Sequence, residues 1–351
     1  MFRFIHTADI HLDSPLTGLE LYEGAPVEEI RQATRRAFEN LVQFAMDEQI
    51  DFILIAGDLY DGNWRDFNTG LFFVTQMVKL KEAHIPVYIV SGNHDAASRI
   101  TQKIPLPANV TIFSTKKPQT IVIEEFAVAI HGQGFIKPAV YDNLSKEYPD
   151  PIQGYFNIGL LHTCAEGAEG HEKYAPCSVE ELKNKGYDYW ALGHVHNRKV
   201  LSEDPYILFP GNIQGRHIKE CGEKGCTLVT VEDRRVKLAE PINLDIMRWA
   251  FCEIDVTNAE NEEQILQLVD KAVEDELVKS ENRSVAMRLR LSGSCKLNGD
   301  ISKNPDDWKN NIRARVHDIS SGKVWIEKII FKTTSKISLE EIIKRGDPIG
   351  D

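Results

Sequence analysis

Seven side chains that commonly bind metals occur in five short clusters, each placed where an apolar strand is predicted to end. The clusters are Asp9-Ile10-His11, Gly57-Asp58-Leu59-Tyr60-Asp61, Gly92-Asn93-His94-Asp95, His162 and Gly193-His194-Val195-His196. Carboxylate and amide oxygens mixed with imidazoles suit divalent ions. Two such ions side by side promote phosphoester hydrolysis, because they draw charge from the phosphoryl oxygens and activate the attacking water. The clusters therefore predict a two-metal phosphoesterase site.

The spacing inside the clusters predicts how the ions are shared. Asp58 is the candidate bridge between two ions, because it follows a buried strand and a glycine before it lets the backbone turn tightly. Asp9 and His11 are two residues apart on a segment predicted to be extended, so they should point the same way and bind one ion together. His194 and His196 alternate in the same manner, although we expect them to divide between the two ions.

The other polar residues of the clusters have separate predicted roles. Asn93 offers a neutral oxygen to an ion, and His162 lies at the end of its own strand. His94 lies beside a ligand and is predicted to protonate the leaving alcohol or to stabilise charge at phosphorus. Asp95 follows it and could orient the imidazole. Asp61 is predicted either to support the site or to contact substrate.

Small basic and aromatic groups near the clusters are candidate substrate contacts. Arg198 follows the last cluster, and Arg216 with His217 lies on a later loop, so each could meet a phosphate. Tyr60 and Trp64 follow the bridging carboxylate and could stack on a splayed base, although packing stays open for Trp64. One further basic group is typical of a solvated helix face: Arg31, Arg35 and Arg36.

Histidines outside the clusters are expected to be structural, because a lone histidine is more often a hydrogen-bonded core residue than a ligand. His131 ends a predicted strand, which leaves a supporting role near the site open. The others are His6, His84, His171 and His317.

Composition limits the class of protein. The chain has 351 residues, of which 42% are hydrophobic and 27% charged, as in a globular protein long enough for two domains. The net charge of −12 argues against wholesale polyanion binding, so nucleic acid would have to contact a local basic patch or the metals. The six cysteines contain no C-x-x-C pair, and we expect reduced thiols in a cytoplasmic protein. No signal peptide or membrane span is predicted.

Strands and helices alternate in the first part of the chain. A helix at 28–49 lies between strands at 2–5 and 52–56, and a helix over 67–78 precedes a strand at 87–90. Two β-rich halves with helices outside favour an α/β sandwich whose clusters gather on loops at the strand ends. Later strands are predicted at 110–113, 120–124, 126–131, 156–161, 188–192, 206–209 and 226–231.

A capping box at Ser178-x-x-Glu181 predicts a short helix ahead of the strand that delivers His194. Composition then shifts near residue 245, which predicts a second, small α+β domain without metal-type clusters. Its predicted elements are strands at 249–256, 285–291 and 323–331 and helices at 259–279 and 307–316.

The predicted boundaries are 1–245 for the first domain, 246–335 for the second and 336–351 for a terminal segment. In that segment Ser338-x-x-Glu341 is a further capping box, and Asp347-Pro348 is a helix start signal that no helix follows. We expect the chain to be truncated there, and a natural frayed terminus is the alternative.

The order D-x-H, G-D-x-x-D, G-N-H-D, H, G-H-x-H resembles the calcineurin-like metallophosphoesterase superfamily over about residues 1–240. Finer features look like the SbcD-type DNA repair exonuclease subunits, and the region after residue 245 is similar in placement to their capping domain. The resemblance implies a four-layer α/β/β/α sandwich core with a small α+β capping domain. The finer features are Thr7-Ala8-Asp9-Ile10-His11-Leu12, Gly57-Asp58-Leu59-Tyr60-Asp61 and Phe209-Pro210-Gly211-Asn212 followed by Gly225.

The resemblance also implies a division of labour. His94 would act on the leaving group. The ions would typically be two Mn²⁺, the protein would be a homodimer, and an SMC-type, SbcC-like ATPase would bind a C-terminal helical segment that should begin about where this chain stops. One ion would be held by Asp9, His11, Asp58 and His196, and the other by Asp58, Asn93, His162 and His194.

Three functions fit these observations. The favoured one is a Mn²⁺-dependent DNA exonuclease or endonuclease subunit that works with an SMC-like ATPase in DNA repair. The rival is a phosphodiesterase or phosphatase for nucleotides or other small phosphoesters, which the acidic net charge favours. The third is a scaffold with a vestigial metal site, which the presence of all expected ligands opposes.

Overall fold

Two six-stranded sheets form the larger of two units into which the chain divides in a computed structural model. The structure describes residues 1–14, 27–62, 66–97, 104–165, 172 and 174–336, and only the backbone of 27–31. Of these, the second unit takes Val27, 217–222 and the residues from 247 onward, and the first takes the rest. Trp64, His171 and the start signals after Ser338 lie outside the described residues.

The strands follow the predicted positions closely, with two additions described below. In chain order they are β1 (Phe2–Thr7), β2 (Phe52–Ala56), β3 (Val87–Val90), β4 (Val110–Ile112), β5 (Gln119–Ile123), β6 (Val128–Gln133), β7 (Phe156–His162), β8 (Tyr189–Gly193), β9 (Lys199–Glu203), β10 (Tyr206–Phe209), β11 (Gly225–Glu232), β12 (Arg235–Asn243), β13 (Met247–Asp255), β14 (Ser284–Cys295) and β15 (Val324–Ser335).

The helices carry their apolar residues on one face, and two of them begin at clear N-terminal caps, of which one was predicted. The capping box of Ser178 and Glu181 is confirmed, with both reciprocal hydrogen bonds present. Asn261 caps the long helix of the second unit by accepting from the N–H of Gln264. The helices are α1 (Val27–Asp47), α2 (Phe67–Glu82), α3 (Asn93–Ala97), α4 (Val179–Asn184), α5 (Glu262–Lys279), α6 (Asn298–Lys303) and α7 (Pro305–Ile319).

The two large sheets stack face to face. Their strand orders are β12-β11-β1-β2-β3-β4 and β5-β6-β7-β8-β10-β9. Phe4 of the first sheet lies 5.0 Å from Phe52 in a stacked pair and meets Tyr189 of the second sheet edge-on at 5.2 Å. Helices α1 and α2 cover the outer face of the first sheet and α4 packs on the second. The prediction of an α/β fold with stacked sheets is confirmed, in the layer order α/β/β/α.

The sheets bring the predicted site together because their central strands are parallel. In the first sheet β1, β2 and β3 run the same way, as do β6, β7 and β8 in the second. The close approach of the two sheets requires glycine, since a Cβ added to Gly193 would lie 1.8 Å from the carbonyl oxygen of Ala56. The carboxyl ends of β2 and β8 therefore meet.

The second unit has its own sheet and core. Strands β13, β14 and β15 are all parallel and lie in that order, with α5, α6 and α7 packed against them. Its core includes Val269, Leu289 and Ile312, each fully buried. No described helix in either unit is both long and apolar enough to cross a membrane.

Candidate metal centre

Asp9 and His11 follow β1 in a tightly curled segment. Their N–H groups donate to the carbonyl oxygens of Gly57 and Asp58, each at 3.0 Å. Both residues have left-handed backbones, with φ of 50° and 46°, so the predicted extended segment is wrong. The two side chains still converge, because they lie with His196 in a group whose ligand atoms are all within 4.8 Å of one another.

Asp58 lies where the predicted bridge should be. It also has a left-handed backbone, with φ of 52°, and its Oδ1 accepts the N–H of His94 at 2.9 Å. Its Oδ2 lies 3.5 Å from Nε2 of His162 and 3.9 Å from Nε2 of His11. A Cβ added to Gly92 would lie 2.3 Å from Asp58 Oδ1, so only glycine leaves room for the carboxylate. One carboxylate therefore faces ligands from both halves of the centre.

Two sets of ligand atoms surround this carboxylate. On one side Nε2 of His11 is 3.4 Å from Nε2 of His196, which is 3.8 Å from Asp9 Oδ1. On the other side Nε2 of His162 is 3.0 Å from the side-chain oxygen of Asn93. These distances place Asp9, His11 and His196 on one side of the carboxylate and Asn93 and His162 on the other, and the division of ligands between two ions stays a prediction.

The donor set fits divalent cations. Burial lowers the pKa of His162 to about 3 and that of His11 well below its ordinary value, so both imidazoles are neutral and able to coordinate. His162 Nδ1 lies 2.9 Å from the carbonyl oxygen of Ala56, which assigns the proton to Nδ1 and the lone pair to Nε2. Burial raises the pKa of the Asp58 carboxyl, and a cation would stabilise its charged form.

His194 occupies a different position from the other predicted ligands. Its Nε2 lies 2.8 Å from the carbonyl oxygen of Glu172, so Nε2 carries the proton and Nδ1 holds the lone pair. Its ring meets the ring of His162 edge-on at 5.2 Å. The backbone N–H of His194 donates to Asp9 at 2.9 Å, which ties the end of β8 to the loop after β1.

Asp61, and not Asp95, orients His94. Asp61 Oδ1 is 3.1 Å from His94 Nδ1 and 3.4 Å from His11 Nδ1. Burial alone would raise the pKa of the Asp61 carboxyl, but the hydrogen bonds to the two histidines and the charge of Arg216 lower it far below its usual range. Burial opposes the protonated form of His94, but Asp61 and Asp58 outweigh that effect and raise its pKa.

Asp95 has a structural role, so the expectation that it orients His94 is wrong. It is buried, and its two carboxylate oxygens accept the N–H groups of Tyr60 at 3.0 Å and Gly92 at 2.9 Å. Burial raises the pKa of Asp95 to about 6, and the nearby Asp58 charge adds to that rise. The side chain fastens the loop after β2 to the loop after β3.

Arg216 enters the centre beside His196. Its guanidinium nitrogens lie 3.3 Å from His196 Nδ1, 3.2 Å from Ser14 Oγ and 3.8 Å from Asp61 Oδ1. Arginine only donates, so the contact with His196 requires Nδ1 to be the acceptor. Coordination through Nε2 would move the ring proton to Nδ1 and remove this hydrogen bond.

The other three predicted substrate contacts have partners of their own. Tyr60 is 3% exposed and packs its ring against Phe73, so the prediction that it stacks on a base is wrong. Arg198 donates to the carbonyl oxygen of Ala239 at 3.1 Å. His217 belongs to the second unit, where its Nε2 is 3.4 Å from Glu220.

The remaining described histidines include two that are fixed inside the first unit. His6 bonds Tyr189 and the carbonyl oxygen of Leu192, and burial lowers its pKa to about 3. His131 bonds Thr120 and Asn157, which places it in a hydrogen-bond network outside the described ligand groups. Ser14, whose hydroxyl donates to Asp61 at 2.9 Å, was not predicted, although its place three residues after His11 was a usable signal.

Comparisons with known proteins agree with this geometry. The model of the calcineurin-like phosphoesterase family matches residues 2–198. The chain belongs to that family. As a calcineurin-like phosphoesterase it is a metallophosphoesterase, and its residue groups are able to bind the divalent metals that the family uses. A second model, for the middle domain of the metallophosphoesterase YhaO, matches residues 249–334.

Relatives of this calcineurin-like phosphoesterase include two curated proteins. The uncharacterized metallophosphoesterase YhaO of Bacillus subtilis (strain 168) is 37% identical over 295 residues, which cover 83% of this chain and 72% of the relative. The DNA double-strand break repair protein Mre11 of Sulfurisphaera tokodaii is 26% identical over 276 residues, or 74% and 67% of the two chains. A solved dimetal phosphatase from Danio rerio aligns with a TM-score of 0.41 at 12% identity, over 66% of this chain and 93% of that one.

Proposed function

We propose that this chain is a DNA nuclease that hydrolyses phosphodiester bonds at a two-metal centre, as the nuclease subunit of an SbcCD-type repair complex. The observation that carries the proposal is the position of His94. Its side chain is 38% exposed, it lies beside the two ligand sets, and Asp61 holds its Nδ1. A histidine so placed can give a proton to a leaving alcohol, which is the group that a phosphodiester releases.

The residues of the chain divide the work of the reaction. Asp9, His11, Asp58 and His196 would hold one ion, and Asp58, Asn93, His162 and His194 the other. When bound, the ions supply Lewis acidity and an activated water. His94 protonates the leaving oxygen from Nε2, because Asp61 engages Nδ1. Arg216 donates to a nonbridging phosphoryl oxygen once it is released from His196.

The proposed partners follow from the resemblance to repair nucleases, which the similarity to Mre11 supports. We include in the proposal Mn²⁺ as the active ion, DNA as substrate, a homodimer, an SMC-type ATPase of the SbcC kind and a cytoplasmic location. The segment proposed to meet the ATPase, 336–351, lies outside the described residues after Lys336.

The alternative is an enzyme for nucleotides or other small phosphoesters. The net charge of −12 favours it, because an acidic protein gains little from the long-range field of a polyanion. The same metals and the same His94 would serve either substrate, so the distinction requires an experiment on both.

The test is cleavage of end-labelled single- and double-stranded DNA with Mn²⁺, with Mg²⁺ and the His94→Ala variant as controls. A ladder of products that depends on Mn²⁺ and disappears in the variant supports the nuclease and reveals its polarity. Intact DNA together with hydrolysis of bis-p-nitrophenyl phosphate favours the small-substrate enzyme. If DNA stays intact after addition of an SbcC-type ATPase as well, the nuclease proposal fails.

A further inference from the structure

A row of rings leads from the surface to the candidate metal centre. The ring of Tyr141 is 67% exposed, and its centroid lies 5.9 Å from that of Tyr174. The ring of Tyr174 lies 5.9 Å from that of His194, which is itself 5.2 Å from His162. Two tyrosines therefore extend outward from two of the residues that would hold the second ion.

The backbone beneath these rings is firmly held. The N–H of Ala175 donates to the carbonyl oxygen of Val140 at 2.7 Å, and the N–H of Cys164 donates to that of Tyr174 at 2.8 Å. Val140 and Ala175 are buried together with Phe135, whose ring meets His162 edge-on at 5.4 Å. Tyr141 is thus an exposed ring that directly follows a buried residue.

A large aromatic ring held in solvent exposes its apolar faces to water, which is unfavourable. A planar ligand that stacked on Tyr141 would cover that surface without the cost of ordering the loop first. The rings carry no net charge, so their ligand would be recognised through its flat face and not through its phosphates.

We propose that Tyr141, supported by Tyr174, is a stacking platform for a nucleobase close to the bond that is cleaved. The inference deepens the proposed function and rests on it, because it makes a base-bearing phosphodiester the substrate class. Stacking on an aromatic side chain accepts every base, so the platform would select nucleic acids or nucleotides over other phosphoesters without selecting a sequence.

The test compares Tyr141→Ala with the unaltered protein, both loaded with Mn²⁺, on two oligonucleotides. One is a natural single strand, and the other has base-free tetrahydrofuran sites at the nucleotides flanking the cleaved bond. We expect kcat/KM to fall about 10-fold on the natural strand, as the loss of one stacked base predicts, and to change less than twofold on the base-free one. Tyr141→Phe should behave as the unaltered protein does.

Two controls separate this inference from a structural effect. Tyr155 directly precedes β7, whereas His162 is the last residue of that strand. Tyr155→Ala should therefore leave both rates unchanged. Mn²⁺ affinity should be the same in all variants. An equal loss on both strands, or no loss on either, overturns the platform.

The two proposals fail in different ways. If neither oligonucleotide is cleaved even with the ATPase, the nuclease proposal fails, and the platform is tested on the methyl esters of thymidine 5′-phosphate and of 2-deoxyribose 5-phosphate. A loss confined to the thymidine ester supports the platform for nucleotide substrates. Equal rates in the variant and the unaltered protein on both esters reject it.

Discussion

One carboxylate, Asp61, connects the residues that would bind metal with those that would act on substrate. It contacts His94 and His11 through Oδ1, and its Oδ2 accepts the hydroxyl of Ser14. The imidazole of His11 thus has Nδ1 3.4 Å from Asp61 and Nε2 facing His196. Substitutions at these residues should separate metal binding from turnover.

His94→Ala should retain both ions and lose turnover about 100-fold or more, because it removes only a proton donor. Asp58→Ala should lose at least one ion, since it removes the carboxylate that faces both ligand sets. Calorimetric titration with Mn²⁺ and the rate on the methyl ester of thymidine 5′-phosphate, whose alkoxide leaving group needs a proton, measure the two effects. Equal loss of metal in both variants would make His94 a ligand.

Asp61→Ala should lower both quantities. We expect Mn²⁺ affinity to fall about 10- to 100-fold, because a hydrogen bond that orients a metal-binding histidine is worth that much. Turnover should fall as well, since His94 loses its partner. The same titration and assay apply, and undiminished Mn²⁺ affinity would show that Asp61 does not orient His11.

Arg216→Met should bind Mn²⁺ as tightly as the unaltered protein or more tightly, because it removes a positive charge beside His196. Turnover should fall by about 100-fold if the guanidinium stabilises the transition state. Arg198→Met is the matched control, since that arginine binds the carbonyl oxygen of Ala239. Weaker Mn²⁺ binding in Arg216→Met would contradict this role.

At this scale the sequence predicted where the candidate ligands lie better than what surrounds them. The sequence shows which ligand types follow each strand. It does not show the direction of their side chains, because that depends on backbone pairing beyond the strand ends. Tyr60 forms a bridge with Leu12, which extends the pairing of β1 and β2 and turns the tyrosine ring into the core. Asp61, the next residue, then reaches the site.

At the scale of elements, the parallel central strands lead into the candidate ligands, and more exposed strands form edges of the two sheets. Every strand that leads into a candidate ligand was predictable, because most of its residues are apolar and buried. Strands β9 and β12 were not, since they lie at sheet edges and none of their residues is buried. Antiparallel pairing of β11 with β1 also had no signal in the sequence, because pairing partners are set by the whole fold.

Gly193→Ala tests the approach of the two sheets. A Cβ there would meet the carbonyl oxygen of Ala56 at 1.8 Å, so the strands must shift. We expect the free energy of unfolding to fall by about 1–3 kcal/mol, together with weaker Mn²⁺ binding. Urea denaturation of the metal-free protein measures the first effect. Gly299→Ala is the control because nothing lies within 4 Å of its added Cβ, and equal stability of the two variants would contradict the argument.

At the scale of the whole molecule, the chain has separate cores in its two units. The candidate metal residues all belong to the first, and the second has a core of its own around α5, α7 and β14. The sequence indicated a second domain from a shift in composition, and the alternation of its predicted strands with helices was a usable signal that the strands are parallel.

Manganese should therefore stabilise the units unequally. At a free concentration about 100 times the dissociation constant, a site gains about 2.7 kcal/mol of stability. We expect Mn²⁺ to raise the midpoint temperature of the first unit's calorimetric transition, which is the one that Gly193→Ala lowers. The midpoint of the second unit's transition should move less. Ile312→Ala, which opens a cavity in the second core, identifies that transition. Equal shifts of both would contradict independent cores.

The ties that close the centre join distant parts of the chain. The N–H of His194 reaches Asp9 across 185 residues, and Arg216 reaches Ser14 across 202. A ribosome must therefore synthesise more than half of these 351 residues before all the proposed ligands of either ion can meet. Metal cannot nucleate folding here as it does in a zinc finger, where neighbouring residues bind first. Divalent ions would then enter a protein that has already folded, and a cell short of them would accumulate folded protein without metal.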